Sequence, residues 1–452
     1  MEDRIRKMPE KVLDIAVFVL FAVFDLCPLV NFLIVCVEGV PDYTIQFADI
    51  TMYREAFMPN PIWAHCNTST LCLGTAISLI YWLKAYLRNA APKLTKHPAL
   101  ILFLAFALWM ALATCVNGLD KAALLGNEHR MEGVLTYFAY LVYFLIAALW
   151  KNDRLKRAWL WVFAGSAAVL ELCLIGDDLL LSGRLHIREC GAVFYNSNHF
   201  GYYILMSALV CAVGGVTAEK RWKRSLWLVL SAIAVEALLL NDTQGAQIGF
   251  LFGLLLMALV CALTKHCPLR RAVWPFLVTA AVVALNKVLP TVASGGQKLD
   301  KNVQATIQQV QAVASGIENA PNSLGSGRLG LWRWTITRIR ERPWVGYGSD
   351  ALADAMTEAL RNSRCHCEYM HYALSYGIPA AVLYVCGVFA VYLRGLRLRR
   401  TLTAEQIIGL CAAFGYMVSA AVGNTMWYTA PFAFILLGMG YGKTLDKGGE
   451  KA

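Results

Sequence analysis

Arginine and histidine side chains that could do chemistry are concentrated in one long stretch of the chain. Ten of the 41 lysines and arginines lie between Lys287 and Arg364, and His366 comes two residues later. Arginine holds phosphate oxygens through two parallel hydrogen bonds and stays charged, so it can bind a diphosphate without a metal. Histidine can take a proton from a hydroxyl group near neutral pH. These residue types therefore suit a reaction in which a sugar hydroxyl attacks and a lipid-linked diphosphate leaves.

Metal chemistry is the alternative that the sequence offers at the same place. The segment "CHCEYMH", 365–371, could supply sulfur and nitrogen ligands. Its Cys-x-Cys spacing is shorter than the usual spacing of metal-binding cysteine pairs, and no second Cys/His pair lies nearby. The sequence also contains no P-loop, no HExxH and no GxSxG motif. We therefore expect no metal and no other cofactor, while oxidation of Cys190 with Cys365 or Cys367 stays open.

Composition places the elements that must position these residues in a membrane. The 452 residues are 58% hydrophobic and 16% charged, whereas soluble domains are about 45–50% apolar and about 25% charged. Long apolar runs span lipid as helices, because every backbone polar group must be satisfied within the segment. The net charge of +11 fits basic loops beside anionic lipid better than a nucleic acid partner, so none is expected. The predicted fold class is an all-α integral membrane protein.

About twelve apolar runs approach the roughly 20 residues that a helical membrane span needs. Every second connection between them is rich in lysine and arginine, which predicts that these connections and both termini are cytoplasmic. The remaining connections, including the arginine-rich stretch, are then extracytoplasmic. The predicted runs lie near 13–37, 68–87, 98–116, 133–150, 158–176, 198–216, 225–240, 246–263, 272–290, 372–393, 405–423 and 428–442.

The longest stretch that does not span the membrane joins the ninth and tenth runs. It divides the chain into nine spans at 1–290, a large extracytoplasmic catalytic loop at 291–371, and three spans with a cytoplasmic tail at 372–452. Apolar residues recur at helical spacing around 300–317 and 328–343, so we expect helices in this loop. Loops of such length are uncommon unless they are functional.

Two carboxylates, Glu171 and Glu236, fall inside apolar runs. An ionisable group in a membrane span is costly and is by default a functional hypothesis. Each can equally be neutral and paired with a neighbouring helix, and the sequence leaves both interpretations open.

Four segments of the chain stand in an order and spacing that match a known family. "RECGAVFYNSNHFGYYI" at 188–204 is similar to that family's arginine followed by Asn-Pro-Asn-x-x-Gly, and "LLLNDTQGAQIGFLFG" at 238–253 to its Ser-Arg-Gly-Ala turn. "SGRLGLWRWTITRIRERPWVGYGSD" at 326–350 is similar to its Arg-x-x-x-Trp helix and Arg-Pro-x-x-Gly-x-Gly turn. "CHCEYMHYALSYGIPA" at 365–380 is similar to its His-Asn-x-Tyr run. Together they resemble the O-antigen ligase / O-antigen polymerase superfamily of bacterial envelope glycosyltransferases.

The resemblance implies a glycosyltransferase-C-like fold and a metal-independent, inverting transfer. A glycan would move from an undecaprenyl-diphosphate-linked donor to the hydroxyl of a glycan or lipid-linked acceptor. By position, His366 would be the base or acceptor-orienting residue, Arg328 and Arg188 would hold the diphosphate, and Trp332 and Tyr369 would shape the pocket. The substrate-binding residues expected from the matched segments are Arg328, Arg188, Trp332, Tyr369, Asn198 and Gln244.

Three positions depart from the family's pattern. Ser197 replaces the proline of Asn-Pro-Asn, and Cys367 replaces the asparagine after the histidine. Gln244 stands where the arginine of Ser-Arg-Gly would be, which predicts the loss of one phosphate contact. These changes bear on the substrate more than on the reaction type.

The resemblance also implies a location, the bacterial cytoplasmic membrane, with the active site on its outer face. Ligase and polymerase share the chemistry and differ in acceptor, and we lean towards polymerase. Other polysaccharide-assembly proteins are candidate partners. The rival class is a polytopic transporter or flippase of polysaccharide precursors. Many transporters show internal repeats, and the absence of one here favours the enzyme.

Overall fold

The structure is a computed structural model in which helices make up the regular secondary structure of the described residues. We label them α1 to α19 in chain order. The described residues are 2–38, 67–88, 96–126, 132–183, 187–190, 194, 196–264, 267–289, 294–316, 318, 320–424 and 426–442. The helices are α1 Glu2–Lys7, α2 Glu10–Glu38, α3 Asn67–Leu87, α4 Pro98–Asn117, α5 Lys121–Leu125, α6 Val134–Leu149, α7 Asp153–Leu180, α8 Ile187–Cys190, α9 Ser197–Thr217, α10 Arg221–Asn241, α11 Gln244–Leu263, α12 Leu269–Val288, α13 Gly295–Ala314, α14 Arg328–Glu341, α15 Ala353–Leu360, α16 Glu368–Tyr376, α17 Ile378–Arg397, α18 Ala404–Ala420 and α19 Ala430–Tyr441.

Each of the twelve predicted apolar runs falls on helical structure, so the prediction of an all-helical membrane protein is confirmed. In the described part of the chain, nine helices are long and apolar enough to cross a membrane: α2, α3, α4, α7, α9, α10, α11, α12 and α17. The other three runs form α6, α18 and α19, which have 16, 17 and 12 residues. These lengths fall short of the roughly 20 residues of a straight span. The count of twelve spans, the sidedness and the three-part division of the chain therefore stay predictions.

The tenth apolar run was expected to form one continuous helix, but in the structure it is divided between two helices, α16 and α17. Gly377 separates α16 from α17 with a left-handed φ of 87°, and a Cβ there would overlap the Trp344 carbonyl oxygen. The turn after α14 docks on this break, since Ile378 N donates to Pro343 O at 2.7 Å and Tyr347 N donates to Leu374 O at 3.0 Å. Hydropathy cannot register such a break, because the residues on both sides of it are apolar.

The centre of the bundle is α9, which is buried along nearly its whole length. It packs against α10, α11, α18 and α7. Small residues permit the closest approach beside it: a Cβ on Gly249 of α11 would overlap the carbonyl oxygen of Gly415 in α18. Such contacts are the usual way in which membrane helices associate, because lipid offers no hydrophobic drive between them.

Each of the two carboxylates within apolar runs lies against a neighbouring helix. The Glu236 Oε2 of α10 accepts from Asn286 Nδ2 of α12 at 2.5 Å. Glu171 of α7 is buried beside Ser207 of α9. The Oε1 atom of each carboxylate has no hydrogen-bond partner among the described residues, so both interpretations stay open.

Candidate functional site

A cavity of about 430 Å³ lies where the ends of α9, α10 and α11 meet α13 and the turn before α14. It brings together three of the predicted site residues, Asn198, Gln244 and Arg328. A fourth, Arg188, reaches its edge through an ion pair with Asp242, with 3.7 Å between Nη1 and Oδ2. His366, Trp332 and Tyr369 are outside its lining. The cavity has the size of a small-molecule site, which typically occupies about 300–1,000 Å³.

Positive charge exceeds negative charge around this cavity. Lys301 and Arg328 line it, and Arg188 stands at its edge. Against these three cations the lining offers one carboxylate, Asp242, whose Oδ2 lies 3.8 Å from Lys301 Nζ. A site with this balance favours an anion with several oxygens, such as a diphosphate.

Arg328 is the cation best placed to meet such an anion. It is the first residue of α14 and follows three residues with left-handed φ, from Gly325 to Gly327. Its Nη1 donates to Gly325 O at 3.2 Å, while its buried Nε has no hydrogen-bond partner among the described residues. The first backbone N–H groups of α14 already donate to the preceding turn. The positive charge here therefore comes from the arginine side chain and not from the helix end.

Gln244 lines the cavity but uses its amide to hold α13. Its Nε2 donates to Thr306 Oγ1 at 2.7 Å and lies 3.4 Å from the carbonyl oxygen of Asn302. Asn302 in turn donates to Asp242 Oδ1 at 2.9 Å. Position 244 thus joins the end of the bundle to the helix that closes the cavity. This contact gives Gln244 a positioning task beside its predicted role in substrate binding.

The turn that presents Asp242 is fixed against the start of α9. Asp242 has a left-handed φ of 63° at the end of α10. Its neighbours Asn241 and Thr243 both donate to the carbonyl oxygen of Ser197, at 3.1 and 3.2 Å. Gly201 makes this approach possible, since a Cβ there would lie 2.5 Å from Asn241 Oδ1.

We predict that Gly201→Ala destabilises the protein by roughly 1–3 kcal/mol, because the added methyl group must displace Asn241 and Thr243. The measurement is the midpoint of thermal unfolding in detergent, with Gly165→Ala of α7 as the matched control. A Cβ on Gly165 meets nothing within 4 Å, so this control should be neutral or slightly stabilising. Equal midpoints for the two variants would contradict the prediction.

His366 lies in a turn that holds both of its ring nitrogens. The Asn362 amide approaches Nε2, with its nearest atom at 2.9 Å, and Asn424 Nδ2 lies 3.5 Å from Nδ1. His366 also has a left-handed φ of 51°, which is uncommon for a residue other than glycine. Strained backbone at such a position is common at functional sites.

Tyr202 of α9 packs against the segment that faces this histidine. A Cβ on Gly423 would overlap the Tyr202 hydroxyl, and the next residue, Asn424, is the one that faces His366. The positive charge of Arg328 also acts on the Tyr202 hydroxyl. Tyr202 therefore lies in the neighbourhood of both the predicted base and the predicted phosphate ligand, which belong to different segments.

Trp332 and Tyr369 pack within the protein and do not line the cavity. Trp332 joins a small cluster around Leu331 and Met356. The Tyr369 hydroxyl donates to the carbonyl oxygen of Met417 at 2.6 Å and so fastens α16 to α18. Their role in shaping a substrate pocket stays a prediction.

The cysteines beside His366 are buried thiols of the same small cluster. Burial raises the pKa of Cys365 to about 12, and burial also raises the pKa of Cys367. In the part of the chain that the structure describes, no group of three His, Cys, Asp or Glu residues is arranged to hold a metal ion. The side chain of Cys190 lies outside the described residues, so its oxidation with Cys365 or Cys367 stays an open question.

A buried ionic cluster that sequence reasoning missed holds the turn before His366. Arg364 is 1% exposed and contacts Glu132, while its Nη2 donates to both oxygens of Asp350 at 2.8 and 3.0 Å. Burial raises the pKa of Glu132 to about 7, with Arg364 acting in the opposite direction. Asp350 and Glu132 hold the pKa of Arg364 well above its usual range, although burial opposes this. His371 Nε2 lies 4.0 Å from Asp350.

Two further residues of the site also escaped the sequence reasoning. Asp242 belongs to a quoted segment but was not singled out, although it is the lone acid in a polar turn. Glu368 is fully buried, and its two oxygens accept from Tyr384 at 2.6 Å and Tyr416 at 3.4 Å. The signal that the sequence offered for Glu368 was its position two residues after His366.

A comparison with known families matches the part of the chain that contains three of the four segments. Residues 229–385 match the family model described as O-antigen ligase. The resemblance to the O-antigen ligase/polymerase superfamily is confirmed. The matched O-antigen ligase region contains Gln244, Arg328 and His366, whereas Arg188 and Asn198 lie before it. The match supports a membrane glycosyltransferase of the ligase/polymerase type in general terms, and no curated protein matches the chain.

Proposed function

We propose that the protein transfers or polymerises a glycan from an undecaprenyl-diphosphate-linked donor on the outer face of the cytoplasmic membrane. The observation that carries this proposal is a cavity with one carboxylate and three cations, one of which, Arg328, has an Nε without a hydrogen-bond partner among the described residues. A diphosphate is the anion that this balance suits, and the O-antigen ligase match supplies the class of lipid-linked glycan substrate.

In the proposed step, the acceptor hydroxyl oxygen attacks the anomeric carbon of the donor sugar. The bond between that carbon and the phosphate oxygen breaks, and the lipid diphosphate leaves with the bonding electron pair. A single displacement inverts the anomeric centre. His366 takes the proton of the attacking hydroxyl, while Arg328, with Lys301 and Arg188, stabilises the negative charge that grows on the diphosphate.

The test is complementation of a polymer-null bacterial host with the full-length protein, scored by envelope polysaccharide on gels at matched membrane levels. We expect His366→Asn to lose the product, because asparagine tolerates the left-handed backbone but cannot accept the proton. Arg361→Ala is the matched control, since Arg361 is exposed and has a nearly equal φ of 52°.

Normal product from His366→Asn would remove His366 from its proposed role. A ladder of repeat units from the wild type would indicate a polymerase, and a single shifted acceptor band would indicate a ligase. In an assay with purified protein, a transporter or flippase would form no new glycosidic bond.

A further inference from the structure

Four arginines converge at the helix ends opposite the cavity. Arg221 begins α10, and Arg224 lies in its first turn. Arg270 and Arg271 lie in the first turn of α12, which packs against α10. Arg271 Nη1 donates to the carbonyl oxygen of Ala218, just before α10, at 3.3 Å. The charges that act most strongly on Arg224 are those of the other three arginines.

The charge of this cluster is unbalanced among the described residues. None of the four arginines forms an ion pair with a described acidic side chain, and Glu219 nearby is exposed and forms none with them. The Nε of Arg224 is buried and has no described hydrogen-bond partner. Both helices also begin here, and a helix N-terminus disfavours positive charge because its free N–H groups point outward. The four arginines therefore present a net positive charge that suits a negatively charged group.

The surfaces next to the arginines are apolar and exposed. The exposed apolar side chains include Trp222, Leu226 and Val229 on α10, and Leu269, Val273 and Trp274 on α12. Tryptophan is enriched where a membrane helix meets the head-group region. A ligand that satisfies both features must carry a negative head group and an apolar tail.

We propose that these four arginines bind the phosphate-bearing head group of an anionic phospholipid, whose acyl chains lie on the exposed faces of α10 and α12. Basic pockets between membrane helices are suited to such head groups. Soluble phosphate offers the same charge, but it would leave the apolar faces unexplained. The site is separated from the cavity by the length of α10, about 30 Å for its 21 residues. It is therefore distinct from the proposed donor site.

The test is native mass spectrometry of the delipidated full-length protein in neutral detergent. The probes are phosphatidylglycerol and phosphatidylcholine with identical acyl chains. We expect the wild type to prefer phosphatidylglycerol, and Arg224→Gln/Arg271→Gln to lower that affinity about twentyfold, since each arginine near anionic lipid contributes roughly fivefold. Arg397→Gln/Arg399→Gln is the matched control, because these arginines lie at the end of α17, where a helix favours positive charge.

Two outcomes would overturn the proposal. If the wild type binds the two lipids equally, the proposal is wrong. This result needs no variant, so it holds even if the glutamine variant fails to fold. Displacement of phosphatidylglycerol by millimolar inorganic phosphate, with equally tight phosphate binding alone, would indicate a soluble anion instead. The elution volume and thermal midpoint of each variant verify that it is folded.

Discussion

Replacing Arg328 by alanine is expected to lower glycan transfer by about a hundredfold or more, while the protein stays folded. Arg328 is the cavity cation whose Nε has no described hydrogen-bond partner. Its replacement removes a hydrogen-bond donor that would stabilise the negative charge growing on the leaving diphosphate. The described hydrogen bond of its guanidinium is to Gly325 O in the adjacent turn, so little packing is lost. The measurement is the initial rate of product formation by purified protein with a lipid-diphosphate-linked glycan.

Two further variants make this experiment specific. Arg328→Lys keeps the charge but cannot form two parallel hydrogen bonds, and we expect an intermediate rate. Arg340 lies on the same helix and its side chain is exposed. Arg340→Ala is therefore the control, and we expect it to keep the wild-type rate. A normal rate for Arg328→Ala would show that the cavity does not hold the diphosphate, whatever His366 does.

Replacing Arg364 by methionine should destabilise the protein by about 3–5 kcal/mol, because two buried carboxylates would be left without their cation. Glu132 and Asp350 are 0% and 2% exposed, so water cannot compensate them. The measurement is the free energy of unfolding from chemical denaturation in micelles. Arg361→Met, in the same segment but exposed, is the control and should stay near the wild type.

The triple change Arg364→Met, Glu132→Gln and Asp350→Asn distinguishes a lost partner from lost packing. Removing all three charges removes the burial cost of the carboxylates, so much of the stability should return. If the triple variant is as unstable as Arg364→Met, the ionic explanation is wrong. If the triple variant regains stability, its rate of glycan transfer will show whether the ionic cluster also positions His366.

The helices and the superfamily could be predicted from consecutive residues of the chain. Twelve apolar runs predicted helical structure correctly, because lipid leaves the backbone few alternatives and the signal is carried by consecutive residues. The order of four motifs indicated the superfamily, and the match at 229–385 confirms it. Arg328, Asn198 and Gln244 were predicted to bind substrate from their positions in the matched segments; all three line one cavity, and their role stays a prediction.

The contacts between buried polar residues could not be predicted from the chain, because they join segments that are far apart in it. The ion pair between Glu132 and Arg364 joins residues 232 positions apart, and neither residue stands out within its own segment. The hydrogen bonds from Gln244 to α13 and the packing of Tyr202 against Gly423 likewise depend on how distant helices approach one another. Local periodicity reports which face of a helix is apolar, whereas the pairing of buried polar groups is set by the approach of separate helices.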